Sequence, residues 1–225
     1  MFIADTQVAC QQYLLRMIPR GYVWWTSGVC SSEDLDSRSS KYEEHYGTKL
    51  NSARCYYRKT KGLANAKLVA VKQIDGNFIW FLIATDGLGL IRENKKLLDT
   101  RTNSGRIKWG EDYVLYEAVR PRVHGGGKHW SWFVQPKKQK EIEHYIGYLI
   151  KNEPEKMKYY IEMQCRRPMH SGIRSFLTRI IRRTAKNWSA VHPRRPWQAR
   201  DPATPLPILN SFRGSKTIKE EVSTI

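Results

Sequence analysis

The segment from residue 169 to residue 197 combines an apolar helical period with a large excess of positive charge. Its apolar residues recur at the i, i+3, i+4 and i+7 spacing that places side chains on one face of a helix. They are Ile173, Phe176, Leu177, Ile180, Ile181 and Trp188. The pattern predicts an amphipathic helix over residues 171–190, with Ser171 as its N-cap and an apolar face that must pack on another element.

Positive charge fills the gaps between these apolar residues. From residue 166 to residue 200 the sequence has ten Arg or Lys and no Asp or Glu. A solvated helix face normally mixes both signs, because like charges repel at i, i+4. A face of one sign therefore indicates an anionic partner. Nucleic-acid phosphate is the favoured partner, and an anionic lipid surface, an acidic protein and a merely solubilising face are the alternatives.

The predicted nucleic-acid contacts fall in two parts of the chain. The helix over 171–190 and an arm over 192–200 supply most of them, and a basic loop over 54–61 supplies the rest. The predicted binding residues are Arg54, Arg58, Lys59, Arg174, Arg179, Arg182, Arg183, Lys186, Arg194, Arg195 and Trp197. Tyr56, Tyr57 and Trp197 lie beside cations, so they either stack on bases or pack within the fold. The sequence leaves both readings open.

The composition of the whole chain agrees with an anionic partner. Its 39 Lys and Arg exceed its 21 Asp and Glu, which gives a net charge of +18 and a pI near 9.9. A pI above ~9 is typical of nucleic-acid-binding domains. No apolar run approaches the ~18 residues of a membrane-spanning helix. The amino terminus lacks the features of a signal peptide, so we expect a cytoplasmic protein.

The cysteines argue against a metal centre. Cys10, Cys30, Cys55 and Cys165 are dispersed and form no C-x-x-C pair. A structural zinc site needs several ligands spaced for tetrahedral closure. We therefore expect unpaired thiols, no metal site and no cofactor.

The order of predicted elements indicates an α+β fold. Strands joined by tight turns predict one mainly antiparallel sheet over residues 20–135, with helices packed on one face. Residues 78–84, FIWFLIA, are apolar on both faces and are predicted to form an interior strand. Asp75-Gly76 before it is typical of a two-residue type I′ hairpin turn.

Three regions are predicted from changes in composition. An α+β domain occupies residues 1–152, and a helical basic appendage follows over 153–190. The remaining residues, 191–225, are rich in proline at first and then polar. Such a segment is expected to be an extended, disordered tail, attached after the C-terminal basic amphipathic helix.

A DNA-nicking enzyme is the alternative from a different functional class. Replication initiators and relaxases pair metal-binding histidines on a strand with a helical tyrosine nucleophile. Here His124 and His129 precede Tyr145 and Tyr148. The histidines are five residues apart across three glycines, whereas i and i+2 share a strand face. The sequence therefore predicts a non-enzymatic protein.

Residues 85–89, TDGLG, lack the full glycine fingerprint of a phosphate loop and predict a turn.

A series of segments between residues 20 and 135 carries a family resemblance. They are RGYVWWTSG, HYGTKL, SARCYYRKTKGLANAKLV, WFLIATDGLG, RIKWGEDYVLYE and GGGKHWSW. In these segments the chain resembles a poorly characterised family of proteins encoded on bacterial plasmids and integrative conjugative elements. The resemblance covers about half of the chain and includes no catalytic motif. It implies a bacterial mobile-element context, and for that reason DNA is favoured over RNA.

Overall fold

A computed structural model of the chain describes residues 1–94, 96–119, 126–197, 199–201 and 203–207. These residues form two compact units that divide between Arg106 and Ile107. Both units contain strands and helices, which confirms the predicted α+β class. The division differs from the boundary near residue 152 that composition suggests. The reason is that the strands after Arg106 pair among themselves and pack with the later helices.

The first unit is built on a five-stranded mixed sheet. Its strands follow the order β1-β3-β4-β2-β5, with β1 parallel to β3 and the other neighbours antiparallel. The elements of this unit are β1 (Phe2–Ala4), α1 (Gln7–Met17), β2 (Trp24–Cys30), α2 (Ser32–Tyr46), α3 (Ser52–Thr60), β3 (Ala66–Lys72), β4 (Phe78–Ala84), α4 (Leu90–Asn94) and β5 (Leu98–Asp99). The predicted interior strand is confirmed, because β4 lies between β3 and β2.

Both faces of the neighbouring strands β3 and β4 are buried. Leu68, Trp80 and Leu82 join Leu35 and Tyr42 of α2 in one apolar cluster. Side chains alternate along a strand, so the odd-numbered residues of β3 and β4 point the other way. Val69, Val71, Phe81 and Ile83 are buried as well. Both faces of β3 and β4 are therefore covered, whereas the sequence predicted helices on one face of the sheet.

The ends of α2 and the turn before β4 are both defined by local hydrogen bonds. Ser31 caps α2 by accepting a hydrogen bond from the Asp34 amide at 3.2 Å, and the helix ends at Gly47 with φ +64°. The type I′ turn at Asp75-Gly76 is wrong. Gly76 has φ +86°, but no residue other than glycine has positive φ among those described. The Gly76 amide donates to the Gln73 carbonyl at 3.1 Å, which is the arrangement of a longer, three-residue loop.

The basic segment after residue 50, predicted as a loop, is the helix α3. Asn51 caps it by accepting from the Arg54 amide at 2.9 Å. The segment has no apolar period that would predict a helix packed on a core. No side chain of α3 is fully buried, which explains why the pattern does not show in the sequence.

Where it is described, the second unit contains a separate three-stranded antiparallel sheet and three α-helices. Its elements are β6 (Ile107–Trp109), β7 (Tyr113–Val119), β8 (Lys128–Val134), α5 (Pro136–Asn152), α6 (Met157–Gln164) and α7 (Ser171–Val191). The sheet has the order β6-β7-β8. The prediction of one sheet over residues 20–135 is therefore wrong, since the described strands divide into two sheets. Pro136 occupies the first turn of α5, where its missing N–H is tolerated.

Candidate nucleic-acid interface

The predicted apolar face of α7 is buried along its whole length. Ile173 and Leu177 have no exposed surface, and Phe176, Ile180, Ile181 and Trp188 are each at most 6% exposed. The helix packs against β8 and α5. Burying a Leu or Ile side chain contributes about 1.5–3 kcal/mol, so several such residues fix the helix firmly. The remaining face of α7 must point away from this core.

The start of α7 differs from the predicted capping. The N-cap residue is His170 and its side chain makes no capping hydrogen bond. Ser131 of β8 takes this role, because its hydroxyl accepts from the Gly172 amide at 2.9 Å and from the Ser171 hydroxyl at 2.8 Å. A Cβ at Gly172 would lie 2.6 Å from the Trp132 carbonyl oxygen. Glycine is therefore required here by the close approach of helix and strand.

His170 is itself buried at this junction, with 4% of its surface exposed. Its ring lies 6.5 Å from the ring of Trp132. Burial disfavours the charged imidazolium and lowers the pKa of His170 to about 4. No pattern in the sequence indicates this residue, since a histidine before a helix has no characteristic spacing.

Two of the predicted arginines on α7 contact an acidic residue of the neighbouring helix. Arg179 and Arg183 lie 3.9 and 3.5 Å from the carboxylate of Glu143 on α5. Arg179 also donates to the Gln139 side chain at 3.1 Å. Both arginines are about two-thirds exposed. Ion pairs at such exposed positions are worth ~0–1 kcal/mol, so a phosphate can readily replace the carboxylate.

The other cations of α7 have no such counterpart. Arg174, Arg182 and Lys186 lie within ion-pair distance of no carboxylate in the described part of the chain. Arg174 and Arg182 border a shallow depression that also takes in Ser175, Thr178 and Arg179. Arg182 and Lys186 are exposed, and Arg174 is half-buried. Residues four apart lie next to each other on a helix surface, so Arg174, Thr178, Arg182 and Lys186 follow one ridge.

The arm after α7 is folded back onto the helix over its first residues, which corrects the expectation of an extended tail from residue 191. The Trp188 indole donates to the Arg195 carbonyl at 3.0 Å, and His192 contacts the Ile150 carbonyl at 2.7 Å. Arg194 and Arg195 keep exposed side chains. Beyond position 207 the predicted tail lies outside the described residues.

Trp197 is placed less favourably for base stacking than its sequence context suggests. Its ring meets the Trp188 ring edge-on at 5.9 Å, and its indole donates to the Arg200 carbonyl at 2.9 Å. The side chain is half-buried as a result. These contacts support the alternative in which Trp197 packs within the fold.

The basic residues predicted near position 54 belong to α3, in the first unit. Arg54 and Lys59 are exposed there. Arg58 instead donates to the Ala64 carbonyl, at 2.8 Å from one terminal nitrogen and 3.3 Å from Nε. Its guanidinium therefore holds α3 to the chain that follows the helix.

The residues of the nicking-enzyme alternative do not assemble a recognisable site where they are described. Tyr145 and Tyr148 stack on each other at 6.0 Å, and the Tyr148 hydroxyl donates to Glu153 at 2.9 Å. His129 lies on β8, whereas His124 falls outside the described residues. Within those residues no group of three or more His, Cys, Asp or Glu could hold a metal ion.

Residues 85–89 form a fixed bend. Leu88 exchanges backbone hydrogen bonds with Gly62 and Ala64, each at 2.9 Å. The Asp86 carboxylate accepts from the Trp24 indole at 2.6 Å and from Arg101 at 3.0 Å. Hydrogen bonds from Trp24 and Arg101 lower the pKa of Asp86, so a negative charge occupies this bend. A carboxylate at this position disfavours a phosphate ligand.

The described helices include none with the length and apolarity that crossing a bilayer requires. All four cysteines are unpaired thiols, as expected.

Comparison of the chain with protein-family models, with curated proteins and with solved structures found no match in any of the three.

Proposed function

We propose that the protein binds nucleic acid without catalysing a reaction on it, and that the outer face of α7 supplies the main phosphate contacts. The observation that carries this proposal is the ridge of Arg174, Arg182 and Lys186 on a helix whose opposite face is buried. These cations have no carboxylate partner among the described residues. A helix fixed by its core presents them from a rigid backbone, so binding requires no ordering of the helix itself.

The arrangement favours phosphate because charge and hydrogen-bonding groups alternate along the ridge. Arg174, Thr178 and Arg182 follow one another at one-turn intervals, which is about 6 Å of rise per step. Guanidinium groups and hydroxyls are the usual donors to phosphate oxygens. DNA is the proposed ligand in preference to RNA, on the strength of the resemblance to plasmid and integrative-element proteins.

The test is a salt titration of duplex DNA binding by the full chain. Each neutralised phosphate releases counterion, so log affinity falls against log salt by about 0.9 per contact. Three to five contacts from α7, together with the exposed Arg194 and Arg195, give a slope of about −4 to −6. Arg174→Gln/Arg182→Gln is expected to weaken binding to all sequences alike and to make the slope shallower by roughly two units.

A matched control separates the α7 contacts from the effect of net charge. Lys137→Gln/Lys140→Gln removes the same two charges from exposed positions of α5 in the same unit. This variant is expected to keep most of the wild-type slope. Equal slopes for the two double variants would contradict the proposed interface. Binding to anionic vesicles or acidic peptides in preference to DNA would replace the proposal with one of the other partners.

A further inference from the structure

Helix α3 exposes two aromatic side chains that the α7 interface does not use. Tyr56 is 71% exposed and Tyr57 is 63% exposed. They are adjacent in sequence, so they point about 100° apart around the helix. Exposed single apolar residues are ordinary on protein surfaces, but two neighbouring tyrosines on a helix with no fully buried residue are not explained by packing.

The helix is nevertheless fixed to its unit on its other side. Arg58 donates to the Ala64 carbonyl at 2.8 Å, and the Asn65 side chain donates to the Cys55 carbonyl at 2.9 Å. The Cys55 thiol lies 3.6 Å from the Leu50 carbonyl and donates to it. These contacts hold the Cys55 and Arg58 side of α3 inward. Tyr56 and Tyr57 are therefore presented to solvent by an anchored element.

Each tyrosine has a cation within one turn of the helix. Lys61 lies 5.8 Å from the centre of the Tyr57 ring, and Arg54 precedes Tyr57 by three residues. Lys59 follows Tyr56 by three residues. Residues three or four apart are neighbours on a helix surface. The sequence from residue 45 to residue 74 contains no Asp or Glu, so the charged residues that neighbour both rings along the chain are cations.

We propose that Tyr56 and Tyr57 form a stacking platform for unpaired nucleotides, with Arg54, Lys59 and Lys61 contacting the adjoining phosphates. Aromatic faces beside cations are the recurring means by which proteins bind single strands. The bases of a duplex stack on one another, so their faces are covered and this platform selects unpaired segments. The proposal rests on nucleic acid as the ligand class, and it adds a second site with a different substrate preference from α7.

The test compares three labelled probes on the full chain by fluorescence anisotropy. They are a short oligothymidylate, a strand of the same length built from abasic sites, and a duplex. The oligothymidylate is expected to bind more tightly than the abasic strand, because only the former has bases to stack. Tyr56→Ala/Tyr57→Ala is expected to weaken oligothymidylate binding by at least about tenfold and to abolish the preference over the abasic strand.

Matched variants separate stacking from other causes. Tyr159→Ala removes a tyrosine that is 69% exposed on α6, and it is expected to leave all three affinities unchanged. Tyr56→Phe/Tyr57→Phe keeps the aromatic faces and is expected to keep the preference for bases. Equal binding of the oligothymidylate and the abasic strand by the wild type would overturn the platform, as would preferential binding of an acidic peptide to α3.

The two proposals fail in different measurements. Equal weakening of duplex binding in Arg174→Gln/Arg182→Gln and in Lys137→Gln/Lys140→Gln would overturn the α7 interface alone. Persistence of the base-dependent difference in Tyr56→Ala/Tyr57→Ala would show that α3 has no stacking role, whatever the duplex result. Duplex affinity is expected to change less than twofold in Tyr56→Ala/Tyr57→Ala.

Discussion

Helices α3 and α7 are both rich in cations, but the structure holds them in place by different means. Helix α7 buries a complete apolar face against β8 and α5, and its cations occupy what remains. Helix α3 buries no residue completely and is anchored by side-chain hydrogen bonds from Arg58 and Asn65. The aromatic residues of α7, Phe176 and Trp188, are core residues, whereas those of α3 are exposed.

This difference changes what a basic helix can offer a ligand. In α7 apolar surface is used in packing, so the outer face is left with charge and hydroxyl groups suited to phosphate. In α3 the outer face keeps both charge and aromatic surface. Substitution of a buried α7 residue is therefore expected to lower stability, whereas substitution of an exposed α3 residue is expected to weaken binding with little change in stability.

The largest expected effect is on the stability of α7. Leu177→Ala removes a side chain with no exposed surface and should lower the free energy of unfolding by about 3 kcal/mol, within the 2–5 kcal/mol of such truncations. Tyr57→Ala is the matched truncation on α3, and it should cost less than about 0.5 kcal/mol because the ring is exposed. Denaturant unfolding of the full chain, with hydrogen exchange of the α7 amides, measures both. Equal losses would remove the distinction between the two helices.

The apolar period explains why one helix was predictable and the other was not. Ile173, Phe176 and Leu177 repeat at helical spacing because they face a core, and that spacing is visible in the sequence. The residues of α3 face water or backbone groups, so nothing constrains their polarity to a period. Asn51, which caps α3, is the one local signal that indicates its start.

Long-range pairing could not be predicted in the same way. The apolar and β-branched residues of β3, β4, β7 and β8 predict strands, but they carry no information about which strands share a sheet. Ser131 and Gly172 are likewise meaningful only once β8 and α7 are in contact. Glu143 was missed as a partner of Arg179 and Arg183 because it lies on a different helix, about 40 residues earlier in the chain.

An effect of intermediate size is expected from pH, at the start of α7. The pKa of buried His170 is about 4 in the folded protein, below the ~6.5 of an unfolded histidine. The unfolded chain therefore binds the extra proton first, and stability is complete above about pH 6.5 and lost as the pH falls toward 4. At about pH 5 this linkage amounts to about 2 kcal/mol.

Hydrogen exchange of the α7 amides at about pH 7.5 and about pH 5 measures this loss in the full chain. His170→Gln is the control, since it removes the titrating group from the same position. The wild type is expected to lose about 2 kcal/mol more than the variant over this interval. Identical pH dependence of the two proteins would show that His170 takes up no proton on opening. No such pH dependence is expected for α3 amides, which have no buried histidine nearby in the described structure.

The smallest effect tests whether the cations of α7 that contact Glu143 also serve a ligand. Glu143→Gln removes the carboxylate from Arg179 and Arg183. Because exposed ion pairs contribute ~0–1 kcal/mol, stability should hardly change. Duplex affinity should rise about two- to fivefold, and the salt slope should steepen by up to about one unit.

Glu162→Gln on α6 makes the same change in net charge at an exposed position and should have a smaller effect. Oligothymidylate binding through α3 should rise no more than it does in Glu162→Gln. A gain in duplex affinity that is the same in both variants would mean that net charge, and not the face of α7, determines binding.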